Sequence, residues 1–593
     1  MKNAEVAARL EEMADLLEAK DVEYKPRAYR RAAENLRGHP TPVEEQAAEG
    51  AEAVQTVEGV GEAIADKVVE YVETGSIAEL EDLREELPVE MSALTRVEGV
   101  GPKTVGTLYE ALGIRTLDDL ETAAENGEIR EVSGFGEKTE QNILDKIDFA
   151  RQATERQRIG DARPLADDVL SLLRDHEATQ RCEVAGSLRR WRETIGDVDV
   201  LVASDDSEAV VDAFVDWSRA DEVIEAGSIK ASVRTEGVRV DLRVVVPEEF
   251  GSALQYFTGS KEHNVRLRNY AIERDMKLNE YGAFDVSEVR SASESRTESD
   301  GTEDDADQRA GDRVAGETEA GMYEALGLPL IPPELREDRG EIRAAAEGDL
   351  PDLVERGDVR GDLHTHTNWS DGGNTIREMA AAAAEMGYDY HCVTDHATGP
   401  GMVGGVGVSD EELREQMAEI REIADEVAVD LFAGVEANID AEGGISVDDD
   451  VLADLDLVVA SPHSALDQGT EAATERLVTA IEHPSVDVLG HPSGRMINKR
   501  PGIDFDVPTV VEAAAAEGVA LEINSNPARL DLRDGAVKAA VDAGATIAVN
   551  TDAHVPAEFA LIRYGVHTAR RGWAETADVL NARGPAELRE FLH

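Results

Sequence analysis

The stretch GSLRRWRETIGDVDVLV at residues 186–202, together with VRVDLRV at 238–244, decides how the chain is read. Asp197 and Asp199 open an apolar run, and residues two apart on a strand point to the same face. Asp241 lies in a second apolar run, so a neighbouring strand can bring it to the pair. In a chain this acidic a lone Asp-x-Asp carries little weight, but an unpaired charge within an apolar strand is costly. Three carboxylates on one face suit two divalent cations, Mg²⁺ or Mn²⁺, in nucleotidyl transfer: one activates a 3′-hydroxyl, the other holds the triphosphate. The Gly186-Ser187 turn and Arg190 would supply backbone and guanidinium donors to the phosphates. Asp197, Asp199 and Asp241 are therefore the candidate catalytic and metal-holding residues of an α+β domain.

On the N-terminal side, residues 1 to about 150 show apolar residues at three- and four-residue spacing, the period of helices. Three turns recur, VEGVG at 57–61, VEGVGPKTV at 97–105 and SGFGEKT at 133–139, each followed by an amphipathic helix. They resemble helix-hairpin-helix units. Gly59, Gly61, Gly99 and Gly101 let the backbone approach a DNA phosphate, and the following helix offers unpaired N–H groups to the anion. Such a contact needs little positive side-chain charge.

That matters because 125 Asp and Glu stand against 59 Lys and Arg, a formal net charge of −66. With aromatics at only 4%, this balance predicts a halophilic cytosol. At molar salt the Debye length falls to roughly 3 Å, so acidity does not exclude DNA as partner. Two distant cysteines, Cys182 and Cys392, predict no disulfide, and no apolar run approaches a membrane span. The protein is expected in the cytoplasm, near the nucleoid at sites of damage, and as a monomer. The 593 residues predict several domains. By the resemblance of GSLRRWRETIGDVDVLV to family X DNA polymerases, these would be a helical DNA-end domain at 1–85, helical fingers at 86–160, an α+β palm at 161–254, a thumb at 255–340 and an α/β barrel at 341–593. Residues 287–320, rich in Ser, Glu, Asp and Gly, read as a disordered insertion in the thumb.

The motif GSLRRWRETIGDVDVLV resembles the palm of family X DNA polymerases, the polymerase beta group, and YFTGSKEHNVRLRNYAIERDMKLNEY at 256–281 resembles their thumb. The resemblance implies that Tyr256, Phe257 and Gly259 lie against the sugar of the incoming dNTP. It places Asn264 at the minor-groove edge of that nucleotide and Arg268 at the template. Lys261 stands where the eukaryotic relative has an acidic residue. KPRAYRRAAENL at 25–36 resembles the part of the small domain that grips a 5′-phosphate, with Lys25 and Tyr29 as DNA contacts and Lys67 as a lyase candidate. Ala63 replaces a second lysine of that site.

Ten of the 13 histidines follow residue 360, most in DLHTHT, VTDHA, ASPHS, LGHPS and NTDAH, each at the end of an apolar run. Seven such runs, near 359, 390, 430, 456, 486, 519 and 545, alternate with helical patterns. A βα barrel gathers the C-terminal ends of its strands on one face. His391, His483, His567 and His593 lie outside this pattern and read as structural or exposed. The remainder resembles the PHP (polymerase and histidinol phosphatase) domain, a distorted seven-stranded barrel. The resemblance implies three metal subsites: His364, His366, Glu436 and Asp552; Asp371, His396 and His554; Glu436, His463 and His491. Imidazole with carboxylate suits Mn²⁺ or Zn²⁺, and the reaction is phosphoester hydrolysis.

The leading expectation is a family X polymerase that fills short gaps in DNA repair and processes the 3′ end with its PHP domain. A second is a PHP nuclease or phosphatase whose polymerase half only binds DNA. A third is a scaffold without catalysis. Two full metal sets favour the first.

Overall fold

A computed structural model describes residues 3–22, 24–37, 43–57, 59–97, 99–288, 309–402 and 406–592. The chain divides into two compact units, one built on the helices up to Glu155 and one running from Arg156 onward. The first has its own core of Leu10, Met13, Leu36, Ile77, Leu80 and Val97, all essentially without exposure. Two of its turns are near copies. Gly59 and Gly99 take φ of 77° and 87°, and Gly61 and Gly101 then cap helices Glu62–Thr74 and Pro102–Leu112. A β-carbon at Gly61 or Gly101 would meet nothing within 4 Å, so these helix starts stand open.

The second unit begins with helix Ile159–Arg174 packed on a five-stranded sheet. Arg181–Val184, Asp197–Ala203, Val238–Val245, Lys230–Thr235 and Glu222–Ala226 lie side by side in that order. The two central strands, Asp197–Ala203 and Val238–Val245, run parallel, with Asp199 opposite Asp241. Their alternating burial arises from Val198, Val200, Val240 and Leu242, which point into the core while the aspartates face outward.

Helices Phe250–Thr258 and Lys261–Ile272 follow, then a three-stranded antiparallel sheet of Met276–Asn279, Gly282–Asp285 and Asp312–Ala315. Here the structure corrects the reading of residues 287–320. Positions 289–308 lie outside the described residues, but the end of the tract is folded. Asp312–Ala315 pairs with Gly282–Asp285, and helix Glu319–Glu324 buries Met322 and Tyr323. The physical reason is Glu319, whose charge composition counted toward disorder. Its carboxylate accepts two hydrogen bonds from Arg189, at 2.7 and 2.8 Å, and one from the fully buried Arg336 at 2.6 Å.

Seven parallel strands form the C-terminal domain in simple sequence order: Gly361–Asp362, Tyr390–Val393, Asp430–Asn438, Leu457–Ser461, Val488–Leu489, Ala520–Asn524 and Ile547–Asn550. Just past the first and last strands, Thr365 bridges Ala553 and His366 N–H donates to the Ala553 carbonyl at 2.8 Å, so the barrel nearly closes. The distorted seven-stranded barrel is borne out, and every apolar run that predicted a strand is one. Among the described residues no helix is long and apolar enough to cross a membrane.

Glu319 supplies a stability test. Burial raises its pKa, but Arg336 and Arg189 outweigh burial and hold it down at about 2. A depressed folded-state pKa stabilises above the ordinary carboxylate pKa and loses that stability as pH falls through the folded value. Glu319→Gln is expected to cost about 3 kcal/mol at pH 7, from the uncompensated buried arginines. In denaturant titrations followed by fluorescence, the gap to wild type should narrow as pH falls from about 4.5 toward 2.

Candidate active sites

The palm carboxylates converge as the strand register dictates. Asp197, Asp199 and Asp241 each bring one ligand oxygen within 4.8 Å of the others. Gly186, at φ 60°, packs so closely on Asp199 that a β-carbon there would collide with its carboxylate. Burial, then the charges of Asp197 and Asp241, push Asp199 up to about 7. Like charges held together, with arginine compensation too weak to cancel their repulsion, are the electrostatic signature of a cation site. Arg239 donates to Asp241 at 2.9 Å, and the Ser232 hydroxyl also hydrogen-bonds it. Sequence reasoning missed both: Arg239 lies two residues before Asp241 on the same strand, and Ser232 faces Asp241 from the neighbouring strand Lys230–Thr235. Beside the triad is a cavity of about 200 Å³ lined by Asp199, Asp241, Lys230, Arg243 and Phe257.

The other expected nucleotide contacts are placed as follows. Ser187 lies in the turn after Gly186, half-buried, with its carbonyl accepting from Arg192 N–H. Arg190 is held by Glu337 at 3.1 Å and donates to the Thr258 carbonyl. Gly259 follows Thr258, and a β-carbon there would lie 3.1 Å from the Arg190 guanidinium. Tyr256 and Phe257 meet edge to face at 5.2 Å, and Arg243 covers Phe257 at 4.7 Å. The Asn264 amide bonds Tyr256 O and Gln255, while Arg268 Nε donates to Asn264 O.

In the helical unit, Lys67 pairs with Glu79 at 2.9 Å and Lys25 with the same carboxylate at 3.6 Å. Tyr29 is buried there. Burial lowers the Lys67 pKa, but Glu79 and Tyr29 raise it further, so this amine is held charged. A Schiff-base nucleophile must be neutral. Glu79 therefore opposes the lyase role, and it was not legible beforehand because it lies one helix away.

All nine residues expected in the barrel meet at the C-terminal ends of its strands, with Glu436 at the centre. Its carboxylate, without solvent exposure, lies 2.5 Å from His396 Nδ1, 2.9 Å from His491 Nε2, 3.2 Å from His463 Nε2 and 3.4 Å from His364 Nε2. Asp552 lies 3.0 Å from His366 Nε2, and Asp371 lies 3.3 Å from His554 Nε2 and 3.6 Å from His396 Nε2. Four overlapping ligand groups result: His366, Asp371, His396 and His554; His364, Glu436 and His491; His364, His366 and Asp552; His396, Glu436 and His463. His366 and His396 thus each stand between groups that the resemblance kept apart.

Several rings have one nitrogen anchored and the other aimed inward. His463 Nδ1 bonds Asn438, His554 Nδ1 bonds the Asp552 carbonyl, and His364 Nδ1 bonds Glu522 at 2.7 Å. Burial opposes the ionisation of Glu436, but His396, His463 and His364 hold it well below the usual carboxylate range. Burial lowers His554, yet Asp371 and Asp552 bring it up to about 9. His364 Nε2, His366 Nδ1 and His491 Nδ1 are buried without a hydrogen-bond partner. Orphaned buried polar atoms are rare and costly, and here they belong to a donor set that suits metal ions, so the residues fit such a group.

Glu522 was missed in the sequence. It has no exposure, accepts from His491 N–H at 2.7 Å and from Asn550 at 2.9 Å, and carries the bond to His364. Its one sequence signal is a charge inside the apolar strand Ala520–Asn524.

Four family models match the chain: a helix-hairpin-helix domain at residues 1–77, a SAM-like helix-hairpin-helix tandem at 91–148, a DNA polymerase beta thumb at 253–337 and a PHP domain at 362–526. Over 599 aligned residues the chain is 35% identical to the DNA polymerase/3′-5′ exonuclease PolX of Bacillus subtilis (strain 168), covering 100% of this chain and 99% of that protein. It is also 35% identical over 207 residues to a probable phosphatase of Caldanaerobacter subterraneus, 33% of this chain and 76% of the relative. A probable phosphatase of Thermoanaerobacter pseudethanolicus is 33% identical over 244 residues, 39% of this chain and 93% of the relative.

Glu522→Gln keeps the shape but removes the charge behind His364. Partners of this kind shift metal affinity by about 10–100-fold. Titration with Mn²⁺ should show a loss of that size in the barrel, with palm binding unchanged; equal affinity would make Glu522 a packing residue.

Proposed function

The chain belongs to the PolX family of DNA polymerase/3′-5′ exonucleases, and from that premise we propose that its palm fills short gaps in DNA while its barrel shortens the 3′ end. The observation that carries this reading is the presence of two complete ligand constellations, one on the palm sheet and one on the barrel.

Asp197, Asp199 and Asp241 would hold two cations, Mg²⁺ or Mn²⁺, and the nine barrel residues up to three, Mn²⁺ or Zn²⁺. When bound, these ions supply Lewis acidity and lower the pKa of the attacking hydroxyl or water. The chain's own groups do the rest. Gly186 gives the phosphates close access to the backbone beside Asp199, and Ser187 and Arg190 contribute donors. Lys230 and Arg243 line the palm cavity with positive charge suited to phosphates. Tyr256, Phe257 and Gly259 form the wall against the sugar, with Asn264 and Arg268 toward the bases. In the barrel, Glu522 and Asn438 hold the Nδ1 atoms of His364 and His463, which keeps their Nε2 atoms turned toward Glu436 and the metal-binding centre.

Gapped DNA is held through the open helix starts after Gly59-Val60-Gly61 and Gly99-Val100-Gly101, with Lys25 and Tyr29 at a 5′-phosphate. Backbone contacts lose less to salt than a basic patch would. That suits a protein of charge −66 working as a monomer in a halophile's cytoplasm, at the nucleoid. Residues 1–85, 86–160, 161–254, 255–340 and 341–593 correspond to DNA-end domain, fingers, palm, thumb and PHP domain.

The test is a labelled one-nucleotide gap with a 5′-phosphate in molar KCl and Mn²⁺, with and without dNTPs. Wild type should add the templated base, and shorten the primer when dNTPs are absent. Asp199→Ala should lose extension by about 10³-fold, ~4 kcal/mol of transition-state stabilisation, and keep shortening. His364→Ala should do the reverse. Shortening without extension in a folded wild type that binds the gap would leave a DNA-targeted phosphoesterase.

A further inference from the structure

The turn that carries Ser187 and Arg190 does not stand alone. The short helix Gly186–Arg189 ends at Arg190, and the next residue, Trp191, takes φ 55°. A bulky residue persists in that region only where its surroundings hold it. The surroundings come largely from helix Ile562–Arg571, which belongs to the barrel domain. His567 stacks flat on the Trp191 indole, with ring centroids 3.5 Å apart and planes 8° from parallel. Tyr564 meets the indole edge at 6.0 Å, and Arg163 of the palm lies 5.1 Å from it. His567 is itself fixed by Glu334 at 2.9 Å.

Arg571 adds the second hold. Its side chain is 4% exposed and donates to the Arg190 carbonyl at 2.5 Å, to Glu337 at 3.1 Å and to Asp534 at 2.6 Å. Glu337 also receives Arg190 Nε at 3.1 Å and lies 3.4 Å from Arg192, while Asp534 also receives Arg339 at 2.9 Å. Four guanidiniums, of Arg190, Arg192, Arg339 and Arg571, thus share the two carboxylates of Glu337 and Asp534. In a chain of net charge −66 this is a concentrated local excess of positive charge. It is stable as built because each arginine has a carboxylate or carbonyl partner, and it leaves the turn favourable to an incoming anion. Neither Arg571 nor His567 is among the nine residues around Glu436.

We propose that Arg571, seconded by His567, is a positioning residue for the polymerase reaction: the PHP domain holds the palm's triphosphate-binding turn in place and so sets the affinity for dNTP. This rests on the reading of Ser187 and Arg190 as triphosphate donors. Removing Arg571 leaves the Arg190 carbonyl without its donor and frees Glu337 to draw the Arg190 side chain away from the turn. Misplacement of a binding group by such a change costs about tenfold or more.

The experiment uses the full chain on gapped DNA in molar KCl. It measures dNTP KM and kcat for extension, and the rate of shortening without dNTP, for wild type, Arg571→Ala, Arg571→Lys, His567→Ala and Arg190→Ala. Arg571→Ala should raise dNTP KM about tenfold, with a smaller change in kcat and an unchanged shortening rate. Arg571→Lys should recover part of the KM, and His567→Ala should raise it about threefold. Arg190→Ala should raise KM as well. If Arg190→Ala raises KM while Arg571→Ala and His567→Ala do not, the positioning role is wrong and the triphosphate reading stands. If Arg190→Ala leaves KM unchanged, both fall. A parallel loss of extension and shortening in Arg571→Ala, with wild-type KM in His567→Ala, would make the contact a general support of the fold and overturn the proposal.

Discussion

Glu436 is a carboxylate without solvent exposure at the mouth of an apolar barrel, and much of the C-terminal domain is arranged around the need to compensate it. An isolated buried charge of this kind would protonate or unfold its surroundings. Instead four histidine nitrogens lie between 2.5 and 3.4 Å from it, supplied by chain segments that follow different strands. Those segments converge only because parallel strands in simple order bring all their C-terminal ends to one face. The catalytic geometry and the barrel topology are therefore one constraint seen at two scales.

The palm meets a related problem more cheaply. Asp199 and Asp241 stand opposite each other in register on adjacent parallel strands, and two-residue spacing adds Asp197. No long-range convergence is needed, only correct strand pairing, which the buried valines on the other face specify. A register slip of one residue would turn the aspartates inward and the valines outward. The repulsion among the three carboxylates is relieved only in part by Arg190 and Arg239, so Asp199 stays raised and the group suits a cation.

These two origins explain what was legible in the amino-acid order. Most palm and barrel ligands announce themselves by position within or just past apolar runs, so their gathering followed from periodicity and topology. Partners that act through space carry at most a faint mark, such as the charge of Glu522 inside its apolar strand. Glu522 behind His364, Glu79 beside Lys67 and Arg571 under Arg190 are separated from their partners by 158, 12 and 381 residues, and a helix or strand must fold before they meet. Composition misled at residues 309–320, because it counts Glu319 as a solvated charge when two arginines bury it. Charge favours disorder only when nothing within reach neutralises it.

The central claim is that one chain carries two separate, fully formed metal centres. Anomalous diffraction at the manganese edge, from crystals grown with Mn²⁺, tests it most directly. The account predicts density among Asp197, Asp199 and Asp241, and a cluster of peaks around Glu436 that includes a site facing Asp371 and His554. Density at the palm with none around Glu436, under conditions where the barrel is ordered, would contradict it.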